Sequence, residues 1–279
     1  MVKQRSKSAV RAAPGTQAVV RALAILEALG GASGERGLSE LAADLALNKT
    51  TVFRLLGALE RRGFVARHGT HGAYSLGPNL ISLGARASRA TSLPAAARPT
   101  IERLAALTGE TVTLEVLVGD EVLIMDEVRG RFLVRTMPEV GTRWPAHATS
   151  TGKALLAAGR FGPGAAGARP ASAGAAAAAP RLERLERLTP ATITTRERLD
   201  EELADVWHRG FAVANEELEP GFIAVGAAVT GVEGRAVAAV SVGGPVARIG
   251  VDRTGALGAL VRDAANEISR RLGAALPDS

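Results

Sequence analysis

The segment LALNKTTVFRLLGALERRGFV, residues 45–65, decides how the first third of this chain is read. Val52, Leu55, Leu56 and Leu59 recur at the i, i+3, i+4, i+7 spacing of one buried helical stripe. Asn48 is an N-cap residue type, able to accept from a free N–H of the first turn, and Gly63 supplies a stop. Lys49, Thr50, Phe53 and Arg54 fall off the stripe, so this short helix keeps positive charge and a hydroxyl at its exposed front end.

The flanking sequence gives that front end a context. Upstream, GLSELAADLAL (37–47) predicts a helix with Ser39 as N-cap and Glu40 in its first turn. Further upstream, QAVVRALAILEALGG (17–31) predicts a helix that buries Val19, Ala22, Leu23 and Leu26, with Leu29 at the edge of the stripe and Gly30-Gly31 as the stop. Downstream, FVARHGTHGAYSL (64–76) reads as two short strands about a glycine-rich turn. NLISLGARASRA (79–90) reads as a linking helix, and Leu93-Pro94 marks a boundary. A helix, a tight turn, a second helix with a polar front end and a hairpin together describe a winged helix-turn-helix, whose second helix enters the major groove. In that reading Thr50 and Thr51 meet bases or phosphates, Lys49 and Arg54 neutralise phosphate or donate to guanine, and Arg67 and His71 in the wing reach the neighbouring backbone or minor groove. Ser39, Asn48 and Phe53 complete the candidate DNA-facing set. An ordinary amphipathic helix with a solvated basic face is the alternative for any one of these residues.

Charge agrees with the constellation. Residues 1–90 hold 13 Lys/Arg against 5 Asp/Glu, whereas residues 91–279 hold 21 against 23, so all the excess positive charge of the chain lies in the first third. Such a field favours a polyanionic partner through counterion release. The chain has no cysteine, which excludes disulfides and thiolate metal sites. No apolar run approaches the roughly 18–20 residues of a membrane span, and MVKQRSKSAV (1–10) lacks the hydrophobic core of a signal peptide. A cytoplasmic protein of two domains is expected, without membrane contact. Residues 1–15 read as a flexible basic tail.

The second region alternates helix and strand patterns. RPTIERLAALTGE (98–110) predicts a helix; TVTLEVLV (111–118), EVLIMDEV (121–128) and RFLVRTM (131–137) predict strands; STGKALLAA (150–158) predicts a helix. Residues 159–180 are low-complexity and read as a flexible insertion. A helix at RERLDEELADVWHRG (196–210), paired strands at FIAVGAAVTG (222–231) and GRAVAAVSVGG (234–244), and a closing helix at ALVRDAANEISRRLGAAL (259–276) follow. The fold class is α+β, with helices packed on a sheet.

Two enzyme-like patterns fail on inspection. HATSTGKA (147–154) departs from a phosphate-binding loop, because His147 replaces the first glycine and Ala154 the magnesium-binding hydroxyl residue. Ser150 to Lys153 satisfies S-x-x-K, but the partner motifs S-D-N and K-T-G are missing. The segment is better read as a helix N-terminus with small residues at its entry, able to hold a carboxylate through free backbone N–H groups. Lys153 reads as a structural or surface residue. The histidines are scattered, so neither a metal nor another cofactor is expected, and the glutamates of NEELEP (215–220) are read as shaping a turn.

The wording of the chain resembles the IclR family of bacterial transcriptional regulators. The resemblance rests on RALAILEAL (21–29), GLSELA (37–42), KTTVFRLLGALERRGFV (49–65), YSLGPNLISLG (74–84), HATSTGKALLA (147–157), ANEELEPG (214–221) and VAAVSVGGP (237–245), in order from Gln17 to Leu272. It implies a winged helix-turn-helix over 16–78, a linker helix over 79–92 and a GAF/PAS-like α/β effector-binding domain over 93–274. It also implies homodimers or homotetramers on a double-stranded DNA operator, more often as repressor than activator. One departure is Ala46, where the family usually has glycine; were positive φ needed there, alanine would cost about 1 kcal/mol.

In resembling proteins the 150–153 segment lines the effector pocket, which makes Ser150, Thr151 and Gly152 candidate anion contacts. The same likeness assigns pocket walls to Leu133, Thr136 and Trp144, to Ala214, Phe222 and Ala224, and to Ser241 and Gly243. The family often has an acid at Ala214, cysteine at Ala224 and serine at Gly243. Their loss, beside Trp144 and Phe222, implies a roomier and more apolar pocket for a small organic acid with an apolar or aromatic body. A metabolic enzyme with an accessory winged helix, and an architectural DNA-binding protein without effector, remain the rival readings.

Overall fold

The computed structural model describes residues 16–31, 35–69, 72–90, 93–131, 139–162, 182 and 184–274. The chain divides into two compact units, Met1–Thr91 and Ser92–Ser279. The expected tail over 1–15 and most of the low-complexity run lie outside the described residues, as do His71, Leu133 and Thr136 and nearly all of the strand expected at 131–137.

In the first unit α1 (Gln17–Gly30), α2 (Leu38–Asp44) and α3 (Lys49–Arg61) precede a hairpin of β1 (Val65–His68) and β2 (Ala73–Leu76) and then α4 (Asn79–Ala90). Val52 and Leu56 of α3 meet Ile25, Leu29, Leu41, Ala42, Val65 and Tyr74 in one buried cluster, with Leu55 and Leu59 packed against it. The Asn48 carboxamide accepts from the Thr51 N–H at 2.7 Å, which fixes where α3 begins. Ala46, in the turn before it, has φ +51°, the left-handed region that an L side chain enters at a cost.

Two details of this unit correct the sequence reading. Val19 and Leu23 are 60% and 53% exposed, while Ile25 and Leu29 are buried, so α1 is rotated from the stripe expected. Ser39 is not the N-cap of α2; Gly37 holds that place, with Glu40 reaching back toward its N–H, and Ser39 lies exposed inside the first turn. The cause is a two-way backbone bridge between Arg36 and Tyr74, each N–H···O bond 2.8 Å long, which keeps the chain extended up to Gly37.

The second unit runs α5 (Leu93–Thr108), β3 (Thr111–Val118), β4 (Glu121–Val128), β5 (Arg143–Pro145), a 3-10 turn (Ala146–Ala148), α6 (Ser150–Phe161), α7 (Arg196–Arg209), β6 (Ala212–Asn215), β7 (Phe222–Thr230), β8 (Ala236–Pro245), α8 (Val246–Ile249) and α9 (Thr254–Arg271). The strands form one antiparallel sheet in the order β5-β4-β3-β8-β7-β6. Strand alternation sends Val112, Leu114, Val225, Ala227, Val240 and Val242 to one face, where they pack with α5 and α9. The other face carries Val122, Ala212 and Ala239 against α6 and α7. Gly159 to Phe161 continue α6 rather than open an insertion, and Phe161 lies beside Trp207 with ring centroids 6.3 Å apart.

Replacing Ala46 by glycine removes the left-handed strain at an exposed position. Set against glycine's extra freedom in the unfolded chain, Ala46→Gly is expected to stabilise the first unit by roughly 0.5–1 kcal/mol. Urea unfolding followed by far-UV circular dichroism checks this.

Candidate functional site

Two surfaces collect the residues singled out in the sequence. On the first unit, Asn48, Lys49, Thr50, Phe53 and Arg54 are exposed at the front of α3 and Thr51 is half-buried. Phe53, 53% exposed, is a large apolar side chain with no place in the cluster beneath. In the hairpin the Arg67 guanidinium lies 5.9 Å from the centre of the Tyr74 ring, so the wing's exposed arginine is held on an aromatic face. His68, not singled out in the sequence, bonds to the Ser75 hydroxyl at 2.7 Å across the same hairpin.

On the second unit, a cavity of about 80 Å³ opens between the start of α6 and the sheet. Trp144, Ser150, Thr151, Ala214, Phe222, Ala224, Ser241 and Gly243 all line it. Gly152 does not. A Cβ there would sit 2.1 Å from the Ala146 carbonyl oxygen, and its N–H is taken by the Thr149 side chain. Gly152 thus permits close packing of α6 on the turn before it. Gly226 does the same from below, where a Cβ would meet the Ser150 hydroxyl at 2.9 Å and the Thr151 nitrogen at 3.0 Å. Together the two glycines let the helix start pack closely on the turn before it and on the sheet beneath. Ser150 is 1% exposed, and its hydroxyl has no hydrogen-bond partner among the described residues.

The expectation of extra room needs correction at Gly243. The Phe222 ring stands 2.8 Å from where a Gly243 Cβ would be, so the aromatic ring fills the space a side chain there would take. Nor is the lining uniformly apolar. Thr111, Thr113 and Glu115, alternate residues of the central strand β3, point into the cavity, and none was singled out in the sequence. Ile124, Ala148, Thr149, Leu218 and Glu219 were missed too. The available signal was a polar alternation, T-x-T-x-E, in a strand otherwise reading as core.

Glu115 is the electrostatic centre of the cavity. One carboxylate oxygen accepts from the Thr113 hydroxyl at 2.6 Å and the other from the Thr151 hydroxyl at 2.5 Å; Thr113 also shares a 2.8 Å bond with Ser241. The β3–β4 register slips between Leu114 and Glu115, a bulge beside the point where this side chain turns inward. Burial pushes the Glu115 carboxyl above the ordinary glutamate value, against the opposing effect of its two hydroxyl donors. No Lys, Arg or His lines the cavity among the described residues.

Lys153, one turn into α6, is a structural residue and not a surface one. It is 1% exposed, and its ammonium donates to Glu217 at 2.6 Å, to the Val213 carbonyl at 2.6 Å and to Glu202 at 3.1 Å. The acids of the 215–220 turn divide the work. Glu216 adopts φ +56° and accepts from the Gly221 N–H at 2.6 Å, while Glu217 holds Lys153. Among the described residues no group of three or more His, Asp or Glu could hold a metal, and no helix is long and apolar enough to cross a membrane.

A carboxyl whose folded-state pKa is raised favours the fold fully below the unfolded pKa, and that contribution is lost as pH rises through the folded value. The part of the unfolding free energy that Glu115 contributes should therefore fall from about pH 4 upward, and Glu115→Gln should remove that part of the pH dependence. Denaturant titrations of both proteins across the range read the difference.

Comparison with known proteins fits this geometry. Residues 86–270 match the family model for the bacterial transcriptional regulator IclR C-terminal region, and residues 18–69 match the IclR helix-turn-helix domain. The HTH-type transcriptional regulator BhcR of Paracoccus denitrificans is 36% identical over 255 residues, covering 91% of this chain and 87% of that protein. The transcriptional repressor IclR of Escherichia coli K12 is 31% identical over 276 residues, covering 97% and 96%. Among solved structures, an IclR homologue of Microbacterium hydrocarbonoxydans complexed with 4-hydroxybenzoate superposes with a TM-score of 0.72 at 27% identity, covering 91% of this chain and 98% of that one. The chain belongs to the IclR family: it is a DNA-binding transcriptional regulator with a small-molecule effector.

Proposed function

We propose that this regulator is a repressor whose operator contacts come from the front of α3 and the hairpin, and whose effector is a small carboxylic acid with an apolar or aromatic body. The observation that carries the DNA side is the division of α3. Val52 and Leu56 are buried while Lys49, Thr50, Phe53 and Arg54 stand exposed beyond the Asn48 cap. A helix with that division can enter a major groove without uncovering its core. Ser39, on the exposed first turn of α2, and Arg67, in the wing, suit phosphate contacts. The boundaries we infer are a DNA-binding domain over 16–78, a linker helix over 79–92 and an effector domain over 93–274.

On the effector side, the start of α6 offers backbone N–H groups at Ser150 and Thr151 to an anion, with Ile124, Trp144, Leu218, Phe222 and Ala224 walling an apolar body. The space suits a single small ring better than a large metabolite. The 4-hydroxybenzoate held by the Microbacterium homologue is of this kind and serves as a first probe. We infer a cytoplasmic homodimer or homotetramer on a two-fold operator, without catalysis.

Arg54→Ala should weaken operator binding several-fold and lower the slope of log affinity against log salt by about one; electrophoretic or anisotropy titrations at several salt concentrations check both. In a Trp207→Phe background, 4-hydroxybenzoate should change Trp144 emission saturably, and Ala224→Phe, which fills the cavity, should abolish the change. A response that survives Ala224→Phe places the effector elsewhere.

A further inference from the structure

The carboxylate subsite proposed above lies beside a second carboxylate. Thr151, whose backbone opens α6, gives its hydroxyl to Glu115, so an anion at the start of the helix and an ionised Glu115 would share one small cavity with no cation lining it among the described residues. The described residues around the cavity bring no positive charge to Glu115. To the same lining α6 contributes Ser150 and Thr151, β4 Ile124, β7 Phe222 and Ala224, and β8 Ser241 and Gly243, none of them charged. Lys153 turns away to Glu202, Glu217 and Val213, and the His147 ring bonds to the Glu186 carbonyl. Glu219, the other titratable group on the lining, is an acid.

What the hydroxyls around Glu115 can offer a ligand depends on its protonation state. Each has one proton. With Glu115 ionised, Thr113 and Thr151 both donate to it, and Ser241 must donate to Thr113. All three of these protons are then spent, so Thr113, Thr151 and Ser241 offer a ligand only lone pairs, and the ionised Glu115 repels a second carboxylate. With Glu115 protonated, its own O–H donates to a threonine oxygen and the chain reverses. Either the Thr151 proton is released directly, or the Ser241 proton is released by way of Thr113. The floor becomes a hydrogen-bond donor.

We propose that the pocket takes its carboxylate effector together with one proton, accepted by Glu115 from solvent, so that effector affinity rises as pH falls. This rests on the carboxylate reading of the effector. Glu115 is then the residue that sets specificity: it excludes a second charge on the ligand near the helix start and makes the regulator answer to acid and metabolite jointly. The uptake is a simple proton transfer from water or buffer and leaves the effector itself unchanged and anionic.

Isothermal titration calorimetry of 4-hydroxybenzoate, benzoate and benzylamine into the full chain, in two buffers of unlike ionisation enthalpy between pH 5 and 9, tests this. The acids are expected to bind with net uptake that climbs toward one proton per site, and with a Kd that rises by up to tenfold per pH unit above the free-protein titration of Glu115. Glu115→Gln, which keeps a donor and cannot ionise, should bind them at pH 8 about as tightly as wild type does at pH 5, without uptake. Acids that bind with a flat Kd and no uptake throughout would overturn the inference and leave the carboxylate effector standing. Tight binding of benzylamine that disappears in Glu115→Gln, or acids that bind neither protein even at pH 5, would overturn both. The wild-type proton count decides the matter even where the variant folds poorly.

Discussion

The second unit depends on how closely the start of α6 is pressed onto its sheet. Gly226 removes the side chain that would hold it off, and Gly152 removes the one that would strike the turn before the helix. One turn on, Lys153 is driven into a dry site, where burying a charge is costly unless every donor is used. Its three partners come from α7, from β6 and from the 215–220 turn, so one ammonium pins three otherwise separate pieces to one helix. Anchored from beneath, the helix start cannot retreat, and Ser150 and Thr151 stay beside the small and polar residues of β3, β7 and β8. The cavity is what remains between a fixed helix end and strands too small to fill the gap.

That arrangement explains why the polar groups of the pocket belong together. A glutamate on the central strand of a covered sheet face is an expensive choice for packing, and here hydroxyls bond to it on both oxygens. The helix proposed to meet DNA in the first unit, α3, obeys a plainer rule: Val52 and Leu56 of its apolar stripe are buried in the core, and Lys49, Thr50, Phe53 and Arg54 stand exposed. Coupling between the two requires only that the effector bind the DNA-competent and incompetent states with different affinity.

Much of this was legible in the residues, and the failures have physical causes. The stripe of α3 is unambiguous, because Val52, Leu55, Leu56 and Leu59 form its one long apolar series. In α1, Val19, Leu23 and Leu26 compete with Ile25 and Leu29 as the inward face; only the position of α3 and the hairpin chooses between them. Ser39 is a good N-cap type beaten by a glycine because a bridge to Tyr74, nearly forty residues away, holds Arg36 extended. Ala46 was marked in advance by the family's glycine, and its positive φ follows from the same turn. Eight of the pocket positions carried over from the family do line the cavity, yet the likeness said nothing of Glu115, which belongs to this chain's own strand pattern. Gly152 showed the opposite error, since a small residue in a binding motif was there for packing.

The central claim is that the amino-terminal unit reads a particular duplex and that filling the pocket changes how well it does so. The most direct measurement is equilibrium binding of the full chain, at moderate salt, to duplex from its own upstream region and to the same bases scrambled, with and without saturating 4-hydroxybenzoate. The account predicts a clear preference for the native duplex and a shift of that affinity on adding the acid. Equal affinity for both duplexes, unmoved by the ligand, would contradict it.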